Sequence, residues 1–343
     1  MNALRHYLPQ VRQYLQQQRE IWPALGLCPT IRFQLTPIPG GAINLNYHLQ
    51  VWGRHFVVRL NTVSQIGLDP AAQIRYEYCT LQFLKSTSLT PRPRYLDDTL
   101  QILPLGLLIE DYLPGRPLNY RRDLAAAART LAIIHRLPVA KRHPFIVQDR
   151  PLQALFAESQ HQADVFFAAG APGKPGLAAL LRELLERASA RLSRDEAHFA
   201  AHPIRSLVNG DLNPANWLVR QGTAQLVDWE RAQITSPALD LTHLLNITTT
   251  TWRDEFAHVL SPAEEEFFLN AYVASYPLAL RPVLRWQFQL MRLYTYLRAF
   301  SWCAYWRARC YLDQVTIREA ATDHKISQYL EPAFMRATLQ SYL

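Results

Sequence analysis

The passage from Asn209 to Asp228 limits what this chain can fold into more than any other stretch. It opens with Asn209-Gly210-Asp211-Leu212-Asn213-Pro214-Ala215-Asn216. Two short apolar runs come next, Trp217-Leu218-Val219 and Ala224-Gln225-Leu226-Val227, separated by Arg220-Gln221-Gly222-Thr223. Short apolar runs around a glycine-bearing turn predict a β-hairpin. Asn216 stands at its entrance and Asp228 at its exit, so pairing brings those two ends together. Gly210 and Pro214 keep the segment around Asp211 out of regular structure and let the backbone curl back toward the same point. Oxygen-bearing side chains grouped in this way can hold a hard cation and a substrate hydroxyl together.

The chain has 343 residues, enough for a substantial core and for two lobes. Apolar residues make up 49% and charged residues 19%, a globular composition that excludes dominant disorder. No run reaches the roughly eighteen uncharged apolar residues of a membrane span, and the first residues lack the apolar centre of a signal peptide, so a cytoplasmic protein is expected. Cys28, Cys79, Cys303 and Cys310 have neither zinc-knuckle nor disulfide-scaffold spacing and read as free thiols. The formal charge of +8 comes from scattered arginines, without a dense basic run interleaved with aromatics. A basic cleft for a small polyanion such as a nucleotide explains it better than nucleic acid does.

An amphipathic helix is expected over the first 22 or so residues, with Leu4, Leu8, Val11, Tyr14 and Leu15 at helical spacing. From Ile31 the period changes to that of strands: IRFQLTPI, INLNYHLQVW and HFVVRLN. A helix, AAQIRYEYCTLQFLKS, comes next, then strand candidates PRYLDD and LGLLIEDYL, completing a five-stranded antiparallel set. After the Pro- and Gly-bearing segment beyond Leu113 the chain is mainly helical, with helices expected over 151–168 and 176–193. His135 stands near the end of the helix DLAAAARTLAIIHRL, where a histidine interacting with the helix dipole is the simplest reading. On RWQFQLMRLYTYLRAFSWCAYWRARCYL, Arg298, Trp302, Trp306 and Cys310 recur every four residues with Tyr305 alongside, a stripe whose ordinary meaning is core packing.

Three passages together resemble the aminoglycoside phosphotransferase and choline kinase family, within the protein-kinase-like superfamily. They are GDLNPAN followed by LVDWE; Pro237-Ala238-Leu239-Asp240-Leu241; and PGGAINLNYHLQV followed by FVVRLN. Their order and spacing agree, and the spelling is nearest to the bacterial choline, ethanolamine and thiamine kinase-like branch. One position departs from the family, which usually has His where this chain has Asn209.

The resemblance implies an α+β, protein-kinase-like two-lobe fold. Residues 1–113 would form a small antiparallel-sheet lobe that binds nucleotide phosphates, and residues 114–343 a larger helical lobe with the catalytic loop and substrate site. It implies Asp211 as the catalytic residue that takes a proton from the acceptor hydroxyl, and Asn216, Asp228 and Glu230 as the Mg²⁺ site. Gly40 and Gly41 would lie over the phosphates, Arg59 would grip them with Glu77 as its partner, and the backbone from Glu110 through Tyr112 to Leu113 would meet adenine. Trp302, Tyr305 and Trp306 would form an aromatic cage for a cationic substrate. Asp240 would brace the catalytic loop. The activity so implied is ATP-dependent phosphorylation of a small-molecule alcohol: choline, ethanolamine or thiamine, with an aminoglycoside or sugar as the alternative. An alternative of another class is a nucleotide-binding pseudokinase. No nucleic-acid partner is implied, and the oligomeric state stays open.

Overall fold

The computed structural model describes residues 2–29, 32–39, 44–315, 320–340 and 342. Gly40 and Gly41 lie outside the described residues. The chain divides into two compact units: Met1–Leu118 with Val139–Phe145 and Ala215–Ala232, and Asn119–Pro138 with Ile146–Pro214 and Gln233–Leu343. Its strands, in chain order, are β1 Gln34–Ile38, β2 Asn44–Val51, β3 Arg54–Asn61, β4 Pro93–Asp97, β5 Leu107–Asp111, β6 Ser206–Val208, β7 Trp217–Arg220, β8 Thr223–Leu226 and β9 Gln233–Thr235.

The first unit is built on β1 to β5, an antiparallel sheet in the order β1-β2-β3-β5-β4. Alternation in the sequence explains the pairing. Along β2, Leu45, Tyr47, Leu49 and Val51 are buried while His48 and Gln50 are partly exposed. β5 sits inside the sheet, and its Leu107, Leu108, Ile109 and Glu110 are all buried. β2 and β3 are joined through Trp52 and Gly53, both left-handed at φ 49° and 73°. That conformation matches the turn to the twist of the strands it connects. The helix Pro70–Leu84 starts on Asp69, whose side chain accepts from the Ala72 amide, with a proline at the first helical position. It carries Glu77 on its buried side.

The helices Asn2–Gln17 and Ile21–Ala24 contribute Val11, Tyr14, Leu15, Ile21 and Trp22 to the same core as the sheet residues Leu49, Phe56 and Val58. The Tyr14 hydroxyl donates to Asp97 at 2.5 Å. Burial and that carboxylate together raise its pKa well above the phenol range. The β7–β8 hairpin belongs to this unit, with Trp217 opposite Leu226. Its turn is Gln221-Gly222, both at positive φ, 51° and 78°.

The second unit is helical, with β6 and β9 as a short antiparallel pair. A 32-residue helix, Leu280–Tyr311, runs through its core and places Met291, Tyr294, Leu297 and Phe300 against Leu152, Leu155, Phe166 and Leu184. The helix Leu177–Ala201 continues well past residue 193, where the sequence suggested a stop. The charged run there is internal to the helix because two of its carboxylates are buried and paired. Tyr294 Oη donates to Asp195 at 3.1 Å, and the Gln153 amide donates to Glu196 at 2.7 Å. Among the described residues no helix is long and apolar enough to cross a membrane.

Candidate active site

In the first unit the polar residues converge on one guanidinium. Arg59, on β3, is 5% exposed. Its Nε lies 2.9 Å from Glu77 Oε2, its Nη2 2.5 Å from Asp228 Oδ1 and 3.5 Å from Glu230 Oε2. Glu77 also accepts the Trp229 amide at 3.2 Å, which ties the end of the hairpin to the helix Pro70–Leu84. Trp229 is fully buried, with its indole N–H on the Leu226 carbonyl at 3.0 Å. The Val227 amide donates to the Asn216 carbonyl at 2.9 Å, so Asn216 and Asp228 stand at the same open end of the hairpin. Asp228 has a left-handed backbone, φ 64°, and a side chain 27% exposed.

Glu230 is held on both oxygens. Asn44 Nδ2 donates to Oε2 and Gln65 Nε2 to Oε1, each at 2.5 Å, while Gln73 Nε2 holds the Glu230 carbonyl at 3.1 Å. The sequence reading gave no role to these three amides. Of the three, only Asn44, in the Gly-Gly-x-x-Asn passage, carried a motif signal.

Carboxyl groups outnumber the one guanidinium in this cluster, and the titration behaviour reflects it. The Glu77 carboxyl is pushed up to about 8 by burial, which Arg59 opposes and Asp228, Glu230 and Glu110 reinforce. Glu110 goes up to about 7 for the same reasons, burial first, with Asp228 adding and Arg59 opposing. Glu230 is raised by burial and by Asp228. Burial works against the Arg59 charge, yet the surrounding carboxylates hold it well above the usual guanidinium range.

Among the described residues no group of three or more His, Cys, Asp or Glu forms a ready metal cage. Mg²⁺ does not need one, since it is bound through one or two protein oxygens, substrate phosphates and water. A partly exposed carboxylate and an amide at one hairpin end, beside buried carboxyls that outnumber their guanidinium, fit that ion's hard-oxygen preference.

Tyr112 is exposed and packs on His48, ring centroids 4.7 Å apart, and Leu113 succeeds it along a groove that His48, Arg54, His55 and Arg94 also line. Glu110 is buried in β5 opposite Val57.

In the second unit the Asp211 loop is clamped from behind. Asp240, wholly buried near the start of the helix Ala238–Leu245, accepts the Asn209 amide on Oδ2 and the Gly210 amide on Oδ1, both at 2.8 Å. Its Oδ2 also meets His135 Nε2 at 3.1 Å, and His135 Nδ1 meets the Tyr272 hydroxyl at 2.9 Å. His135 therefore belongs to the support of this loop and not to a helix dipole alone. Asn209 is fully buried, and its side-chain oxygen accepts the Asp211 amide at 3.0 Å, a short-range bond that asparagine makes readily in a loop. Gly210 is left-handed at φ 82°. The Asp211 side chain stays 34% exposed.

On the long helix of the same unit, Trp302 stacks on Trp306 at 5.7 Å and meets the edge of Trp252, also at 5.7 Å. Trp306 lines a cavity of about 300 Å³ with Arg307, Cys310, Tyr311 and Asp323. Tyr305 is engaged instead with Arg309, whose Nη1 donates to its hydroxyl at 3.2 Å.

A five-stranded antiparallel sheet unit together with a larger helical unit is a protein-kinase-like fold, and solved structures share it. Choline kinase from Cryptosporidium parvum is 12% identical with a TM-score of 0.60, over 97% of this chain and 98% of that one. A choline/ethanolamine kinase family protein from Mesorhizobium loti is 16% identical with a TM-score of 0.57, over 94% and 98%. A thermostable mutant of aminoglycoside phosphotransferase APH(4)-Ia, solved as a ternary complex with AMP-PNP and hygromycin B, is 16% identical with a TM-score of 0.55, over 90% and 95%. No curated protein matches the sequence. A sequence model of the phosphotransferase enzyme family matches residues 34–278, and the chain belongs to that family.

Proposed function

We propose that this phosphotransferase moves the γ-phosphoryl group of ATP to the hydroxyl of a small molecule, an amino alcohol such as choline or ethanolamine, or thiamine. The observation that carries the reading is the surplus of carboxylates around Arg59, with Asp228 partly exposed at the open end of the hairpin. Such a cluster suits a divalent cation and polyphosphate, and it suits few other ligands.

Asn216 and Asp228 would hold Mg²⁺, with Glu230 a ligand directly or through water. Bound there, the ion would neutralise charge on the phosphate oxygens. Arg59, fixed by Glu77, supplies a guanidinium whose charge burial does not remove, and it contacts the phosphates as negative charge spreads over them. Backbone groups from Glu110 to Leu113 would meet adenine; Gly40 and Gly41, the expected cover of the phosphates, lie outside the described residues. Asp211 orients the alcohol. As the alcohol oxygen bonds to phosphorus, the bond to the β-phosphate oxygen breaks with its electrons leaving on ADP, and the hydroxyl proton passes to Asp211. The clamp by Asp240 keeps that carboxylate in place without occupying it.

The amino-alcohol preference draws on the Trp302–Trp306 stack and the Asp323 carboxylate in the cavity beside it, since aromatic faces and a carboxylate attract a small cation. Tyr305 is the weaker member of that cage. ATP and Mg²⁺ are cytoplasmic, and the reading puts the protein there.

A coupled ADP-release assay against choline, ethanolamine, thiamine, sugars and aminoglycosides tests it. Turnover on one alcohol is expected, lost by more than about 100-fold in Asp211→Asn with ATP binding kept, whereas Asp228→Ala weakens Mg²⁺-ATP binding itself in calorimetry. Wild-type activity in Asp211→Asn would refute the assignment. Nucleotide binding without turnover on any alcohol would favour the pseudokinase reading.

A further inference from the structure

The helix Ala238–Leu245 reaches the Asp211 loop with two side chains. Asp240 holds the amides before Asp211, and His243 holds the one after it. The Leu212 backbone N–H lies 3.0 Å from His243 Nδ1. A backbone amide can only donate, so Nδ1 is the acceptor and carries no hydrogen, which leaves the ring hydrogen on Nε2. That nitrogen is 4.0 Å from Asp211 Oδ1. Asn213 Nδ2 donates to the same oxygen at 3.2 Å. Two N–H groups are thereby gathered on one oxygen of the carboxylate.

We propose that His243 is the positioning residue for Asp211: the Leu212 amide fixes its ring and tautomer, and the Nε2–H so presented sets the orientation of the Asp211 carboxylate. The proposal rests on the reading of Asp211 as the proton acceptor. At 4.0 Å the contact acts first as a charge–dipole attraction. Contacts of this kind tighten when substrate is bound, and a small rotation of either side chain brings the pair within hydrogen-bond distance. The bond to Leu212 has a second effect, because the amide occupies the lone pair on Nδ1 while Nε2 carries the ring hydrogen, so neither nitrogen is open to compete as a base for the alcohol proton. The other ionisable groups of the clamp are already engaged with one another, since Asp240 takes the Asn209 and Gly210 amides together with His135. His243 is thus the ring whose donor is directed at Asp211.

His243→Asn separates the two contacts. The asparagine oxygen falls near the place of Nδ1 and still accepts the Leu212 amide, but it has no donor at the ε position. The expected result is wild-type thermal unfolding, KM for ATP within about twofold, and kcat lower by roughly 10- to 100-fold, the scale of a slightly misplaced catalytic group. A merely structural histidine would be rescued fully by asparagine, with kcat unchanged, and that result overturns the proposal.

Nitrogen-15 spectra of the histidine rings in the unsubstituted protein give a test independent of activity. The Nε2–H tautomer of His243 at neutral pH is required, and an Nδ1–H tautomer or an imidazolium overturns it. If the unsubstituted protein phosphorylates no alcohol, the assignment of Asp211 falls and this proposal with it. The ring spectrum then shows whether the geometry or only the chemistry was at fault.

Discussion

Replacing Asp240 by Asn tests the clamp behind Asp211 with almost no change in volume. The carboxylate serves the Gly210 amide with Oδ1, and the Asn209 amide and His135 with Oδ2. An asparagine has one acceptor oxygen. Its cheapest orientation keeps that oxygen at the Oδ2 position, where two partners are satisfied, and turns the amide nitrogen toward the Gly210 N–H. Two donors then face each other inside a site from which water is excluded. A buried donor left unpaired costs about 1–3 kcal/mol, and the bonds that remain lose the strength lent by ionic charge. The loop should therefore open more easily by roughly 2 kcal/mol, which is about a 30-fold loss of amide protection. Hydrogen exchange read by mass spectrometry on a peptide covering residues 206–214 measures it directly. In kinetics the same change should lower kcat and leave KM for ATP nearly unaltered. Exchange within threefold of wild type, with undiminished kcat, would refute the claim that Asp240 holds the loop.

Two further substitutions test the first unit. A Cβ on Gly115 would come within 2.9–3.0 Å of the Leu218 and Val219 backbone, so Gly115→Ala should push the Pro- and Gly-bearing segment after Leu113 away from the hairpin and break the Arg116–Val219 bridge. A loss of about 1–3 kcal/mol is expected in denaturant unfolding, and an unchanged midpoint would count against this close approach. Asn44→Ala removes a donor from the buried Glu230 carboxylate and should cost about 1–3 kcal/mol in thermal unfolding. A variant as stable as wild type would mean that Gln65 and Gln73 hold Glu230 alone.

The sheet was legible because each of its strands announces itself locally, by alternation in β2 and by an unbroken apolar run in β5. The hairpin was legible for a similar reason, with Gly222 marking a turn that only left-handed residues can make. His135 was not. Its partners, Asp240 and Tyr272, lie more than a hundred residues away in sequence, and a histidine at a helix end looks alike whether it serves the dipole or a distant carboxylate. Gln65 and Gln73 were equally silent, since a neutral amide in a loop or on a helix leaves no charge pattern to read. The extension of the helix Leu177–Ala201 was hidden by its charges. Asp195 and Glu196 look like solvated residues until Tyr294 and the Gln153 amide are seen to face them. His243 lies three residues beyond Asp240, so the sequence places both on one helix face, but the separate roles of its two ring nitrogens are set by the distant Leu212 amide.

The N-terminal helices raise a different matter. The family match begins at residue 34, yet Val11, Tyr14, Leu15, Ile21 and Trp22 are all buried in the core under the five-stranded sheet. Each such side chain, left without its cover, forfeits roughly 1.5–3 kcal/mol. A fragment cut where that match begins would expose a broad apolar sheet face and aggregate. In this protein the span that the family model matches and the span that folds do not begin at the same residue.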